Sequence, residues 1–87
     1  MKKRKRVVLR KRWWTAVVRY PEYMVDDYPD EIYSGWVRAV FQDDAIAAVQ
    51  RMAVRANRTS AYADQLKPED FEPVVALWGR HTIINPN

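Results

Sequence analysis

The sequence predicts an α+β domain: a small three-stranded, mainly antiparallel sheet with one main helix packed on it, in the order β-β-α-(short α)-β. Two observations carry the prediction. The spacing of apolar residues changes from two to about 3.6 where the run Ile32–Phe41 gives way to the run that follows Asp44. The segments on either side, Val7–Tyr20 and Val74–Ile84, are dominated by residue types that strands favour.

Within Ile32–Phe41, Tyr33, Val37, Ala39 and Phe41 share one face, interrupted by Gly35, while Trp36 and Val40 lie on the other. Gln42, Asp43 and Asp44 offer a helix start, with a carboxylate to accept the orphan N–H groups of the first turn. Ala45, Ile46, Val49, Met52, Ala53 and Ala56 then fall on one stripe, with Gln50, Arg51 and Arg55 outside it. That stripe must lie on the sheet.

Along the chain, residues 1–10 form a basic arm or strand extension and residues 11–87 a single domain. Val7–Tyr20 contains no Gly, Pro, Asn or Asp, so nothing marks a turn. One reading is a long strand, with Trp14, Ala16, Val18 and Tyr20 on one face and Trp13, Thr15, Val17 and Arg19 on the other. In the other reading, pairing begins only near Lys11. Pro21 ends the strand. Glu22–Glu31 is an acidic, tyrosine-bearing loop, too long for a tight hairpin. The main helix ends at Asn57 or Arg58, and Thr59 or Ser60 caps a short helix over Ala61–Leu66. Lys67–Phe71 suits one further helical turn, with Pro68 near its first position. Pro73 resets the chain, and Val74–Ile84 is the third strand, with Gly79 as a bulge. That strand lies either parallel beside the second or antiparallel beside the first. The second arrangement is favoured, because it can keep one sheet face wet. Trp13, Trp36, Val40 and Trp78 would then stand on the face without the helix, where a partner, a second copy or the small helix must cover them.

Composition narrows the function. With two Gly, glycine-rich phosphate loops are excluded, and with no Cys there are no disulfides, thiolate ligands or Cys nucleophiles. His81 is the single histidine, so neither a triad nor a zinc site assembles by familiar rules. The expectation is a protein with no catalytic residues, metal or cofactor. Charge is divided sharply: residues 1–12 hold eight cations and no acid, and the remaining seven basic residues face all eleven acids, so arm and body stand at +8 and −4. The run Val7–Leu9 is far too short for a signal or a span, which points to a soluble, cytoplasmic protein without a membrane partner.

Two sets of residues are candidates for binding. Lys2, Lys3, Arg4, Lys5, Arg6, Arg10, Lys11 and Arg12, joined by Arg51 and Arg55 on the helix, could neutralise phosphates. Against this, a basic tail also serves solubility, and cations late in a helix complement its dipole. Tyr23, Asp26, Asp27, Tyr28, Asp30 and Glu31, with Trp13 and Trp36, could form a partner-binding surface; the ordinary alternative is a solvated loop.

The run from Trp36 to Ala53, a strand closing on a polar cap and an alanine-rich helix, resembles small phage and prophage proteins of the anti-CRISPR type. The resemblance is architectural and carries no functional residue across. It implies a non-enzymatic interaction protein that binds and inhibits a host nucleic-acid-handling complex, such as an RNA-guided nuclease, in a bacterial cytoplasm. A homodimer through the second sheet face fits the same reading. The alternative is direct binding of DNA or RNA through the basic arm.

Overall fold

The computed structural model describes residues 9–24 and 31–83. Their order is β1 (Arg12–Arg19), a 3₁₀ turn (Glu22–Met24), β2 (Ile32–Ala39), α1 (Gln42–Ala56), a second 3₁₀ turn (Pro68–Asp70) and β3 (Glu72–Trp78). The sheet is antiparallel throughout, with β1 between β2 and β3. The α+β class and the placing of the third strand beside the first are therefore as the sequence predicts.

The centre of the sheet explains where the helix sits. Ala16 pairs with Gly35 on one side and Ala76 on the other, a row of the smallest side chains across all three strands. α1 settles into that trough: a Cβ on Gly35 would stand 2.9 Å from Met52 Cε and 3.5 Å from Val49 Cγ2. Ala45, Val49 and Ala53 of the predicted stripe are fully buried. With Ala16, Val18, Met24, Leu66 and Phe71, Val49 and Ala53 form the main core cluster. Each large member contributes about 1.5–3 kcal/mol by leaving water. Ala56 of the predicted stripe is exposed, although Ala53 and Asn57 on either side of it are buried.

The helix ends differ from one another. Phe41 is the N-cap and no side chain caps α1 there; Asp43 and Asp44 lie in the first turn, where they complement the dipole without bonding the cap. Phe41 is thus exposed at the corner, not packed on the face of Tyr33. Asn57 closes the other end as expected, donating from Nδ2 to Ala53 O at 2.8 Å and from its N–H to Val54 O at 3.1 Å.

Three expectations are corrected here. Ala61–Leu66 is a chain of turns, not a helix, although Ser60 Oγ does accept from Tyr62 N–H at 3.2 Å. Six residues cannot repay helix nucleation, and Pro68 stops any extension. The following turn at Pro68–Asp70 forms as predicted, with Asp70 Oδ2 accepting from Lys67 N–H at 3.0 Å. Pro73 lies inside β3, which it can do because an edge strand needs donors toward β1 alone. The bulge is at Val74, not Gly79: Val17 pairs with Val75 and Val18 with Pro73, so Val74 is the extra residue.

Gly79 has φ +90°, a left-handed conformation that side-chain-bearing residues rarely adopt, and it ends the strand. Its N–H donates to Trp13 O at 2.8 Å, and Arg80–Ile83 then leave the ladder. Pairing at the other end of β1 starts at Arg12, so the shorter of the two readings of the first strand is the observed one.

Candidate nucleic-acid interface

The sheet face opposite α1 carries Trp13, Thr15 and Val17 from β1, with Trp36 and Arg38 from β2 and Leu77 and Val75 from β3. Thr15 is fully buried there although no helix covers it. The cover is the chain's own segment after Gly79. Thr15 Oγ1 donates to Gly79 O at 2.7 Å and accepts from His81 N–H at 2.8 Å, and Trp36 Nε1–H donates to His81 O at 2.8 Å. The His81 ring closes the turn, with Nε2–H donating to Trp78 O at 2.6 Å. Part of the face expected to need a partner, a second copy or the small helix as cover is therefore strapped by residues 80–83, while Trp13, Trp36, Leu77 and Val75 stay exposed.

The strap delivers a cation to two indoles. Arg80 Cζ lies 5.0 Å from the Trp13 ring centre and 5.6 Å from that of Trp36. On the helix side of the sheet, Arg12 Cζ stands 5.0 Å over the Trp78 ring. Trp78 pairs with Trp14 in register and meets it edge-on at 5.9 Å, so it does not belong with Trp13 and Trp36 as expected. Trp14 is anchored in turn by its Nε1–H, which donates to Ala39 O at 3.0 Å. Such guanidinium–indole contacts contribute about 0.5–1 kcal/mol each at exposed sites.

All of this gathers at one end of the sheet, where β1 begins and β2 and β3 finish. Arg10, Lys11, Arg12, Arg38 and Arg80 are exposed there, together with Trp13, Trp36 and Trp78, the last 64% exposed. Between the segment entering β1 and the start of α1 is an open hollow of about 360 Å³, lined by Leu9, Arg10, Arg12, Trp14, Val40, Phe41, Gln42 and Trp78.

Of the residues singled out in the sequence, the structure brings together Arg10, Lys11, Arg12, Trp13 and Trp36. Arg51 and Arg55 are exposed on α1 but do not join them. α1 starts beside Arg12 and leads away from it at about 1.5 Å per residue. Arg58 donates from its guanidinium to Arg55 O at 3.3 Å, a role at the helix end. Arg80 and Arg38 were not anticipated. Only Gly79, as a residue able to turn the chain, hinted at the position of Arg80.

The opposite end of the body is acidic and aromatic. Tyr23 Oη donates to Asp70 Oδ2 at 2.7 Å, and its ring lies 5.9 Å from that of Tyr62. Partial burial first, then the hydrogen bond and charge of Asp70, push the Tyr23 hydroxyl up to about 12. Glu22, Asp64, Glu69 and Glu72 are exposed nearby in the chain, and Glu31 O accepts from Tyr20 N–H at 3.3 Å. Asp26, Asp27, Tyr28 and Asp30 of the loop, and Lys2, Lys3, Arg4, Lys5 and Arg6 of the arm, lie outside the described residues.

Among the described residues, no group of three or more His, Asp or Glu side chains converges as a metal site, and no helix is long and apolar enough to cross a membrane. No protein-family model, curated protein or solved structure matches the chain.

Proposed function

We propose that this chain is a non-catalytic nucleic-acid-binding module that holds its ligand at the tryptophan- and arginine-bearing end of its sheet. One observation carries the reading: Trp13, Trp36 and Trp78 are exposed beside guanidinium groups at the end of β1 that the arm leads into. Indoles left in water beside fixed cations are suited to stacking on unpaired bases, while Arg and Lys neutralise the phosphates alongside. The test is binding of labelled DNA and RNA oligonucleotides over a salt series. Affinity should fall with a log–log slope of about −0.7 per phosphate neutralised on a single strand. Removing residues 1–6 should flatten that slope, and an absence of any complex at about 50 mM salt overturns the proposal.

The acidic pole favours a second reading, in which the target is a protein within a nucleic-acid-handling complex, such as a bacterial RNA-guided nuclease that the chain inhibits. Its support is the surface set by Tyr23, Tyr62 and Asp70, anchored at the end of the sheet opposite Arg10, Arg12 and Arg80. Capture from bacterial lysate with and without nuclease treatment separates the two. A partner that survives nuclease belongs to the second reading; one that is lost belongs to the first.

A further inference from the structure

We infer that the hollow between Leu9–Arg12 and the start of α1 receives one unpaired nucleotide, with its base on Trp78 and its phosphate on Arg10 and Arg12. The inference rests on the nucleic-acid reading and names the form of ligand. The walls supply what a nucleotide needs. Trp78 offers a largely exposed indole, held at a fixed tilt of 73° against buried Trp14. Arg12 lies over that ring, so a base that takes its place on the indole frees the guanidinium to turn to the phosphate. Leu9, Val40 and Phe41 keep the rest of the lining apolar, and Gln42 is the neutral polar side chain among the lining residues. Its amide has both donor and acceptor, the pair needed to read a base edge. A volume of about 360 Å³ is at the small end for ligand sites and suits one nucleotide better than several.

The shape of the site also selects the strand form. Bases in a duplex are covered on both faces by their neighbours, so one would have to flip out to enter, at the cost of unstacking and unpairing. Duplexes can touch the arm, but they leave the hollow empty.

The experiment compares the wild-type chain with Trp78→Ala, Trp78→Phe and Arg10→Ala/Arg12→Ala. Probes are a twelve-nucleotide single strand and the duplex of the same sequence at one salt concentration, with tryptophan fluorescence as a second readout. The wild type should prefer the single strand by at least about tenfold, with quenching. Trp78→Ala should lose about five- to hundredfold on the single strand and nothing on the duplex. Trp78→Phe should retain most of the preference. Trp78 is exposed enough that the alanine variant will fold, and a thermal melt confirms it. Equal effects of Trp78→Ala on both probes, or none on either, overturn the inference and leave the basic-arm reading standing. A wild type that binds neither probe overturns both. If an acidic peptide binds in a Trp78-dependent way and oligonucleotides do not, the hollow belongs to a protein and the inference fails.

Discussion

Replacing Thr15 by valine keeps the shape of a fully buried side chain and removes only its hydroxyl, which is the pin for residues 80–83. Two hydrogen bonds are lost, of 2.7 Å to Gly79 O and 2.8 Å from His81 N–H. At a net ~0.5–1.5 kcal/mol each, that is about 1–3 kcal/mol. If the strap stayed in place, Gly79 O and His81 N–H would lose a partner without regaining water, and the cost would rise above this range. The strap has an easier course, which is to lift and rehydrate. It then also gives up the Trp36–His81 hydrogen bond and the stacking of Arg80 on two indoles. Both routes put the loss at about 3 kcal/mol or more, and at ~4–8 °C per kcal/mol the melting temperature should fall by at least roughly 12 °C. Urea unfolding gives the free energy, and limited trypsin digestion followed by mass spectrometry tells the routes apart. Lifting exposes the bond after Arg80, and Thr15→Val should be cut there sooner than the wild type. Thr15→Ser, which keeps the hydroxyl, should resist cleavage like the wild type. A Thr15→Val protein within about 0.5 kcal/mol of wild type, and equally resistant after Arg80, would refute the reasoning.

The remaining predictions concern the core, the trough and the acidic pole. Val49→Asp or Met52→Asp places a carboxylate between α1 and the sheet and should cost several kcal/mol or abolish folding, whereas Arg51→Ala and Arg55→Ala should stay within about 0.5 kcal/mol by urea melt. Gly35→Ala meets the free end of Met52, which can swing aside, so the loss should be below about 1 kcal/mol. Gly35→Val adds atoms toward Val49 and should cost about 1–3 kcal/mol, visible as an early melting transition. Tyr23 has a folded-state pKa above its ordinary value, so the folded protein keeps a proton that the unfolded chain gives up. Its contribution is complete below pH 10 and is lost as pH rises from 10 to about 12. Tyr23→Phe should remove one late-titrating tyrosine from the absorbance titration; an unchanged curve would place that group elsewhere.

The parts of the fold that depend on local geometry were legible. Ala45, Val49 and Ala53 could be placed on the sheet because a helix repeats strictly, and Asn57 could be placed as its end because polar residues follow at once. Trp13 and Trp36 could be put on the open face by parity alone. Trp78 could not: Pro73 and Ala76 oppose Val18 and Ala16 of the same face although they are three residues apart, because Val74 is extra. Parity counted along β3 changes sign at that bulge, and nothing in the composition around Val74 announces it. Gly79 announced itself by residue type and was read as a bulge, but Ile83 and Ile84 further on carried the strand pattern through it, whereas its φ of +90° turns the chain out of the sheet. The meeting of Arg80 with Trp13 and Trp36 follows from that one angle. Phe41 misled because an alternating run was extended two residues past the last paired position, Ala39.

Pro73 and the Val74 bulge also decide how copies of this domain can join edge to edge. Along β3, one residue lacks an N–H and the next breaks the ladder spacing, so the strand is a poor template for a foreign neighbour. The outer edge of β2 has no proline and no bulge, and among the described residues no strand pairs with it. Among the described residues, strand-to-strand joining is therefore open on the β2 side alone. Two copies meeting through β2 use up the compatible edge of each, and growth stops at a closed pair instead of running on into a fibre.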